Sequence, residues 1–394
     1  MVAIRFDAIR AVICAIYVLC FSNFLQAAVL PEDRADILYH AYDGGGADIN
    51  GPYVLVRKGV SESVSVYGHY YVDMVSSATI DVEVQGASRY EEERTEYSLG
   101  MDYLHNRSIL SIGFTNSSEN DYEADTYSIG ISQDVFGDLT NISFGFVYGS
   151  NWIGKNTGGE EGVVEVGTNT ARRYKLGVSQ ILTKDLIVAV NYETAIDEGF
   201  LNNPYRQVRA LTAPFNPSSQ ILDEPEIYPN TRNSDALSLK ARYFLPYRAA
   251  LGAEYRTYSD SWDIQSQMLE IKYAHPLPNW GIKLEGKYRG YSQTAASFYS
   301  DLFQYQNIDL VEFRARDKEM SEMNSQTIGI GISYEFKPSW LPYFDKTTLN
   351  FYWDYIQFDY DNFRDARVST PIAGEEPLYS FDANVYRLFW SFWY

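Results

Sequence analysis

The sequence contains few cysteines. Only Cys14 and Cys20 occur among its 394 residues, and both lie in an N-terminal segment that we expect to be removed on export. The exported chain would then have no disulfide, no thiolate metal site and no cysteine nucleophile, although its destination would be oxidising.

Basic residues are also scarce. The chain has 32 Lys and Arg against 52 Asp and Glu, which gives a formal net charge of -20. A chain this acidic repels polyanions, so no nucleic-acid partner is expected. An acidic surface would instead suit divalent-cation bridging to lipopolysaccharide.

Long apolar runs are absent apart from one at the N-terminus. Two arginines precede this run, which covers residues 11–25, and the small residues Ala27 and Ala28 follow it. The pattern predicts a signal peptide over residues 1–28, cleaved near Ala27 or Ala28, and one exported domain over residues 29–394. An uncleaved anchor is disfavoured, because polar residues interrupt the run and no second apolar run follows.

Tyrosine, by contrast, is abundant. Aromatic residues make up 16% of the chain, which has 34 tyrosines. Tyrosine is enriched in the two interfacial belts of membrane β-barrels. The mean hydropathy of -0.29 agrees with this class, because barrel strands turn alternate polar residues into the lumen.

Alternating segments of about ten residues recur along the chain, and this length lets a tilted strand cross a bilayer. The segments are 35–43, 53–58, 61–73, 94–105, 108–116, 123–134, 139–149, 170–182, 186–195, 235–245, 249–258, 262–273, 281–291, 327–336, 347–358 and 382–394. They predict an all-β transmembrane antiparallel β-barrel of about 16 strands, within a range of roughly 14 to 18.

The connections alternate between short turns and longer polar stretches, as in outer-membrane barrels with short periplasmic turns and long extracellular loops. Residues 259–261 are expected to be the only brief outer loop. With an even number of strands, both termini lie in the periplasm. A soluble β-sandwich is disfavoured, because its strands are usually shorter and it needs no aromatic terminal strand.

The last segment carries an apolar stripe. Side chains of a strand alternate between its two faces. One face here consists of Tyr386, Leu388, Trp390, Phe392 and Tyr394. We interpret this stripe as lipid-facing and as the signal that the barrel-assembly machinery recognises during biogenesis.

The same alternation assigns two kinds of lumen face. Early strands present a small-residue wall, which includes Ser98, Gly100, Ser111 and Gly113. Later strands present a charged ladder, whose members are Arg173, Lys175, Lys240, Arg242, Glu254, Arg256, Glu270, Lys272, Lys283, Glu285, Lys287 and Arg289. The ladder has two interpretations: cross-strand pairs that only stiffen the wall, or a charge-lined constriction that sets ion preference.

Two outer loops, 196–234 and 293–326, are long enough to suggest a function. The second is expected to be either an inward-folded constriction, with its aromatic residues on the small-residue wall, or an exposed, ordered or partly helical loop. The candidate constriction residues are Phe298, Tyr299, Phe303, Arg314, Arg316, Asp317 and Lys318.

No catalytic or metal-binding motif is found. The four histidines are scattered, and His69, on one strand with Ser65 and Asp73, is interpreted as a lumen hydrogen-bonding residue rather than a catalytic base. The acidic stretches 119–125 and 359–365 lack the glycine and glutamate of a calcium loop. We therefore expect no enzyme activity, no metal and no cofactor.

Several different extended motifs are spread along almost the whole chain. They include LPEDRAD at 30–36, LPYRA at 245–249, FYSDLF at 298–303 and ARDKE at 315–319. These motifs resemble a proteobacterial family of outer-membrane barrels known only as domain of unknown function 3570. The resemblance implies an outer-membrane address and supplies no activity and no catalytic residues.

The sequence thus favours an outer-membrane pore for small polar solutes or ions in a Gram-negative bacterium, its mouth narrowed by long outer loops. The alternative is a non-conducting scaffold or receptor barrel that binds a protein, such as a periplasmic partner. An outer-membrane enzyme is the third hypothesis. Outer-membrane lipid and lipopolysaccharide are the expected surroundings in each case.

Overall fold

The structure is a computed structural model that describes residues 28–77, 90–158, 162–212, 220–337 and 342–394. In these ranges, sixteen strands close into one antiparallel barrel and three shorter strands form a separate sheet. Apart from Ala28, the expected signal peptide lies outside the described residues. No helix in the described part of the chain is long and apolar enough to cross a membrane.

The strands follow one another in a simple up-and-down order. Their bounds are β1 Arg34–Gly44, β2 Ala47–Ser61, β3 Val64–Ser77, β4 Tyr90–His105, β5 Ser108–Ser118, β6 Tyr122–Val135, β7 Thr140–Asn156, β8 Val163–Thr183, β9 Leu186–Gly199, β10 Gln207–Leu211, β11 Ile221–Pro225, β12 Thr231–Phe244, β13 Ala250–Asp260, β14 Gln265–Leu277, β15 Ile282–Gln293, β16 Phe303–Gln304, β17 Met323–Phe336, β18 Lys346–Arg364 and β19 Leu378–Trp393. The strands β10, β11 and β16 form the separate sheet, and β1 pairs with β19 to close the barrel.

All sixteen predicted barrel strands are confirmed, and most are longer than predicted because their polar outer ends also pair. For example, β7 and β8 pair well beyond the predicted segments 139–149 and 170–182. The second strand also starts earlier than predicted, because Gly51 and Pro52 interrupt its alternating pattern without ending it. The small sheet was not predicted, since its strands have at most five residues.

The connection between β1 and β2 shows where the loop prediction was wrong. It consists of Gly45 and Gly46, whose φ angles of 59° and 83° are readily adopted only by glycine. Residues 259–261 are therefore not the only brief outer connection. The error arose because the polar start of β2 was assigned to a loop.

The outward face of the barrel is apolar, as a bilayer requires. Leu237 and Leu239 of β12 and Ile328 and Ile330 of β17 are all exposed on it. Exposed tyrosines recur around the ring, as expected for interfacial belts. They include Tyr39, Tyr70, Tyr97, Tyr127, Tyr192, Tyr255 and Tyr288.

The apolar stripe of β19 lies next to the seam of the barrel. Tyr386 and Leu388 are exposed, and the ring centroids of Trp390 and Phe392 lie 4.6 Å apart. Tyr394 lies just beyond the strand, where its hydroxyl donates to the carbonyl oxygen of Arg57 at 3.0 Å. This bond ties the end of β19 to β2 across β1. Recognition of the stripe by the assembly machinery stays a prediction.

Gly51 offers a test of how closely β2 passes β3. A Cβ at this position would overlap the carbonyl oxygen of Val72, a backbone atom that cannot move without disturbing the ladder. We expect Gly51→Ala to destabilise the barrel by about 1–3 kcal/mol. The measurement is the temperature at which the folded band converts to the unfolded band on a gel.

Gly130→Ala is the matched control, because a Cβ there would meet its nearest atom at an ordinary 3.7 Å. This variant should convert at the wild-type temperature. Equal conversion temperatures for the two variants would contradict the close approach of β2 and β3.

Candidate functional site

Charged side chains of neighbouring strands lie in rows on the lumen face of β12 to β15. One row mixes the two signs, because the register aligns Lys240 with Glu254, Glu254 with Glu270 and Glu270 with Arg289. The next row toward the periplasm contains no carboxylate on these four strands, although its register continues through Gly329 of β17 to Asp354 of β18. Its members are Arg242, Gly252, Lys272 and Lys287.

All five ladder lysines form ion pairs. The distances from the ammonium nitrogen to the carboxylate oxygen are 3.6 Å for Lys175 and Glu193, 3.3 Å for Lys240 and Glu254, 2.6 Å for Lys272 and Glu270, 3.3 Å for Lys283 and Glu285, and 2.8 Å for Lys287 and Asp354. Pairs of this kind agree with a stiffening role for the wall. They do not decide between the two interpretations, because a paired charge can still face water.

Exposure shows which of these groups face water. The side chains of Lys175, Lys240 and Lys272 are 53%, 50% and 60% exposed, although they lie inside the barrel. A cleft of about 310 Å³ lies against the same wall, with Arg242 and Glu254 among its lining residues. The lumen beside β8 and β12 to β14 is therefore accessible to water.

The small-residue wall is partly covered from within. The ring of Tyr67, on β3, lies against Gly100, where a Cβ would overlap it. The guanidinium of Arg57 stacks 4.5 Å from the centre of the Tyr67 ring and pairs with Asp102. Ser111 also donates to Asp102, at 2.6 Å. The small residues thus provide room for an arginine–tyrosine stack.

The histidines on this side of the lumen have hydrogen-bonding partners, as proposed for His69. Its Nε2 lies 3.2 Å from a carboxylate oxygen of Glu96. Asp73 instead pairs with His40 at 2.7 Å and accepts from the hydroxyl of Tyr71 at 2.8 Å. The Ser, His and Asp residues of β3 are therefore not assembled around His69. Alternation alone could not reveal the His40–Asp73 pair, because it depends on the register between strands.

Three outer connections pack together into one structure, which we call the outer cap. It comprises the described parts of residues 200–230, 294–322 and 365–377. Strand β10 pairs with β11 and, in parallel, with β16, and this pairing joins the first two connections. Arg209 and Glu376 join the first connection to the third through a hydrogen bond of 2.6 Å.

The aromatic residues of the candidate constriction loop pack inside this cap. Phe298 lies 5.2 Å from Trp262 and 5.5 Å from Tyr228, measured between ring centres. Tyr299 packs against the same cluster and a neighbouring one at the outer ends of β18 and β19, and Phe303 packs on Val208.

None of these contacts involves the small-residue wall, which belongs to strands on the other side of the ring. The packing on that wall that we considered from the sequence is therefore wrong. The alternative prediction, an exposed, ordered or partly helical loop, fits better, because the loop is ordered and contains the 3-10 helices Tyr305–Leu310 and Lys318–Met320. The loop aromatics find aromatic partners at the adjacent strand ends, and Tyr67 already covers the small-residue wall. These two features explain why the loop does not pack on that wall.

The charged run of this loop is also turned into the cap. The side chain of Arg314 donates to the carbonyl oxygen of Pro225 at 2.8 Å. That of Arg316 donates to Asp301 at 3.1 Å and stacks 4.5 Å from the ring centre of Phe363. Both arginines are buried, so they hold loops together rather than line a pore.

Asp317 is buried beside Arg206 of the neighbouring loop. Burial raises the pKa of Asp317 above its usual range, although the Arg206 guanidinium opposes the shift. Lys318 begins the short helix that follows. Three of the four charged candidate constriction residues, Arg314, Arg316 and Asp317, therefore connect the loops of the cap.

The pair of Arg209 and Glu376 is the most enclosed ion pair of the cap. Their side chains are only 6% and 5% exposed. Burial raises the pKa of Glu376, but the hydrogen bond from Arg209 and the backbone donors outweigh it, so the pKa lies below its usual range. Sequence reasoning missed both residues, because they lie in irregular loops where no periodicity marks them.

The cap crosses the mouth of the barrel. The hydroxyl of Tyr205 bonds to Asp121, between β5 and β6, and accepts from the backbone N–H of Asn156 at the end of β7. Four residues later, Arg209 meets Glu376, between β18 and β19. These two connections lie six strand positions apart in the sixteen-strand ring, where eight would be diametrically opposite, so the loops meet over the lumen.

The anchor of Tyr205 is acidic. Carboxylate oxygens of Glu92, Glu119 and Asp121 lie within 4.8 Å of one another. Burial raises the pKa of Glu119, and the nearby Asp121 adds to this effect. Burial and the bond to Asp121 raise the pKa of Tyr205 to about 12, so its hydroxyl stays protonated and donates to this carboxylate.

Comparisons with solved structures show a likeness of barrel architecture. A bacterial polysaccharide outer membrane secretin is 7% identical, with 93% of this chain and 100% of that chain covered and a TM-score of 0.48. Outer-membrane expressed OmpT of Vibrio cholerae is 10% identical, with 94% and 100% covered and a TM-score of 0.43. The siderophore receptor PirA from Pseudomonas aeruginosa is 8% identical, with 84% and 57% covered and a TM-score of 0.42.

At these identities and TM-scores the likeness extends to no function. No curated protein sequence matches the chain. A family model described as "Protein of unknown function (DUF3570)" matches residues 75–172 and 160–365. These ranges cover well over half of the sequence, and the protein therefore belongs to the DUF3570 family.

Proposed function

We propose that this protein is an outer-membrane channel for small polar solutes or ions. The observation that carries the proposal is the half-exposed state of Lys175, Lys240 and Lys272 on the inner wall of a closed barrel. Charged side chains keep this exposure only in contact with water, since burying an ammonium group in a dry interior is costly. Barrels of about sixteen strands are wide enough to enclose an aqueous channel.

In this proposal the outer cap sets how solutes reach the lumen. Its loops cross the mouth and are joined by buried ion pairs, such as Arg209 with Glu376. Breaking a buried pair by removing one partner costs about 3–5 kcal/mol, because a charge is left unpaired in a dry site. Loss of this pair should therefore loosen the cap.

A receptor or scaffold barrel is the second candidate, and one observation favours it. Val208, Ala210 and Ala315 are fully buried within the cap, so the cap has a dry core of its own. An ordered cover of this kind would present a fixed surface to a protein partner. It would also reduce conduction, which makes conductance the property that separates the two candidates.

The first test is the single-channel conductance of refolded residues 29–394 in a planar bilayer. We expect steady, ohmic steps, because the water-accessible wall runs through several adjacent strands. Heat-modifiable migration on a gel must first confirm that the barrel has folded. A folded barrel that stays silent would contradict the channel and favour the receptor.

The second test addresses the cap. We expect Arg209→Ala to raise the single-channel conductance or the fraction of time spent in the largest conducting state, since Glu376 loses its buried partner. Arg367→Ala is the matched control: Arg367 pairs with Asp365 in the same connection, but its side chain is 41% exposed. Exposed pairs contribute about 0–1 kcal/mol, so the control should conduct like the wild type. If both variants match the wild type, the cap does not limit conduction.

A further inference from the structure

We propose that the lumen prefers anions, so that the solutes it passes are small inorganic or organic anions. This inference rests on the proposed channel function and adds the sign of the charge that the channel favours. It is drawn from the solvent exposure of the charged lumen side chains, from their ion pairs and from their arrangement in rows around the barrel. The acidic composition of the chain would by itself suggest the opposite preference.

The first observation concerns the ion pairs. In the pairs Lys240–Glu254, Lys272–Glu270 and Lys175–Glu193, the lysine is more exposed than its carboxylate partner by twenty percentage points or more. The reason is reach: a long lysine side chain carries its ammonium group into the water, while the shorter carboxylate stays near the wall. A solute in the lumen therefore meets the cation of each pair first.

The second observation concerns the charges outside these pairs. None of the ion pairs among the described residues involves Arg173, Arg242 or Arg256. All three are exposed on the lumen face. Arg173 interacts electrostatically with Asp197, whereas Arg242 and Arg256, on the same wall as the exposed lysines, add positive charge that no ion pair offsets.

The third observation is the row of basic residues on β12 to β15, which meets its first carboxylate, Asp354, only on β18. Arg242, Lys272 and Lys287 occupy neighbouring positions around the lumen, separated only by Gly252. Such an arrangement forms part of a ring of positive charge, and rings of Lys or Arg are one way in which pores select anions. The low-dielectric barrel wall strengthens their field at this level.

The lumen carboxylates of β3, β4 and β18 offset this field only in part. Asp73, Asp102 and Asp354 have side chains only 9–11% exposed. Asp102 pairs with Arg57, Asp354 pairs with both Lys287 and Arg387, and Asp73 accepts from the Tyr71 hydroxyl beside His40. The acidic residues of the cap contribute little at this depth, because Glu376 and Asp317 are buried against arginines.

The experiment measures the reversal potential of refolded residues 29–394 under a potassium chloride gradient, in a bilayer of neutral phosphatidylcholine. A neutral lipid is needed because an anionic bilayer would itself concentrate cations at the mouth. We expect chloride to be more permeant than potassium by about threefold or more. An equal or greater permeability for potassium would overturn the inference, while leaving the channel function intact.

Two variants connect the preference to the proposed wall. The double change Lys240→Glu and Lys272→Glu should abolish or invert the anion preference. Lys184→Glu is the matched control, because Lys184 lies in the turn between β8 and β9, 90% exposed and outside the lumen. It makes the same charge change per residue and should keep the wild-type reversal potential.

If the reversed charges prevent folding, the double variant Lys240→Gln and Lys272→Gln takes the place of the glutamate variant. It should lower the chloride preference in part, in a barrel that still shows heat-modifiable migration. A chloride preference that survives both double variants would show that this wall does not set the selectivity, and the inference would fail. A folded protein without any conductance would instead refute the channel function on which the inference rests.

Discussion

The structure depends on one constraint: in lipid, every backbone N–H and C=O must find a partner within the protein. A closed antiparallel barrel meets this constraint, and the pairing of β1 with β19 completes it. Closure then fixes the face of every side chain, because strand residues alternate between lipid and lumen. The apolar outer surface and the polar interior are both consequences of that alternation.

The two sides of the lumen differ in how far their charged side chains are exposed to water. On one side, lysines of β8, β12 and β14 extend into water while their carboxylate partners stay near the wall. On the other side, Tyr67 fills the space above Gly100, and Arg57 and Asp102 are enclosed beside it. The lumen thus has a water-exposed wall and a packed wall. The cap loops contact outer strand ends on both sides, at Trp262 beside the water-exposed wall and at Asp121 beside the packed wall.

The sequence was sufficient to predict the barrel, because each strand repeats the same two-residue period. The same period assigned each strand residue to the lumen face or the lipid face, and it placed the charged ladder from Arg173 to Arg289 on the lumen face. The cap could not be predicted, because contacts such as Arg209 with Glu376 join irregular loops that no period describes. The His40–Asp73 pair was missed for a related reason, since alternation gives the face of a residue but not its cross-strand neighbours.

The contact between Arg209 and Glu376 spans 167 residues of sequence and joins loops from distant hairpins. It can form only after β9, β12 to β15 and β17 to β19 have taken their places in the ring, so the cap is expected to be the last part of the molecule to fold. Its buried contacts also involve none of the barrel's own ladder bonds. The cap can therefore open by local unfolding while the barrel remains closed, and the two parts can differ in stability within one chain.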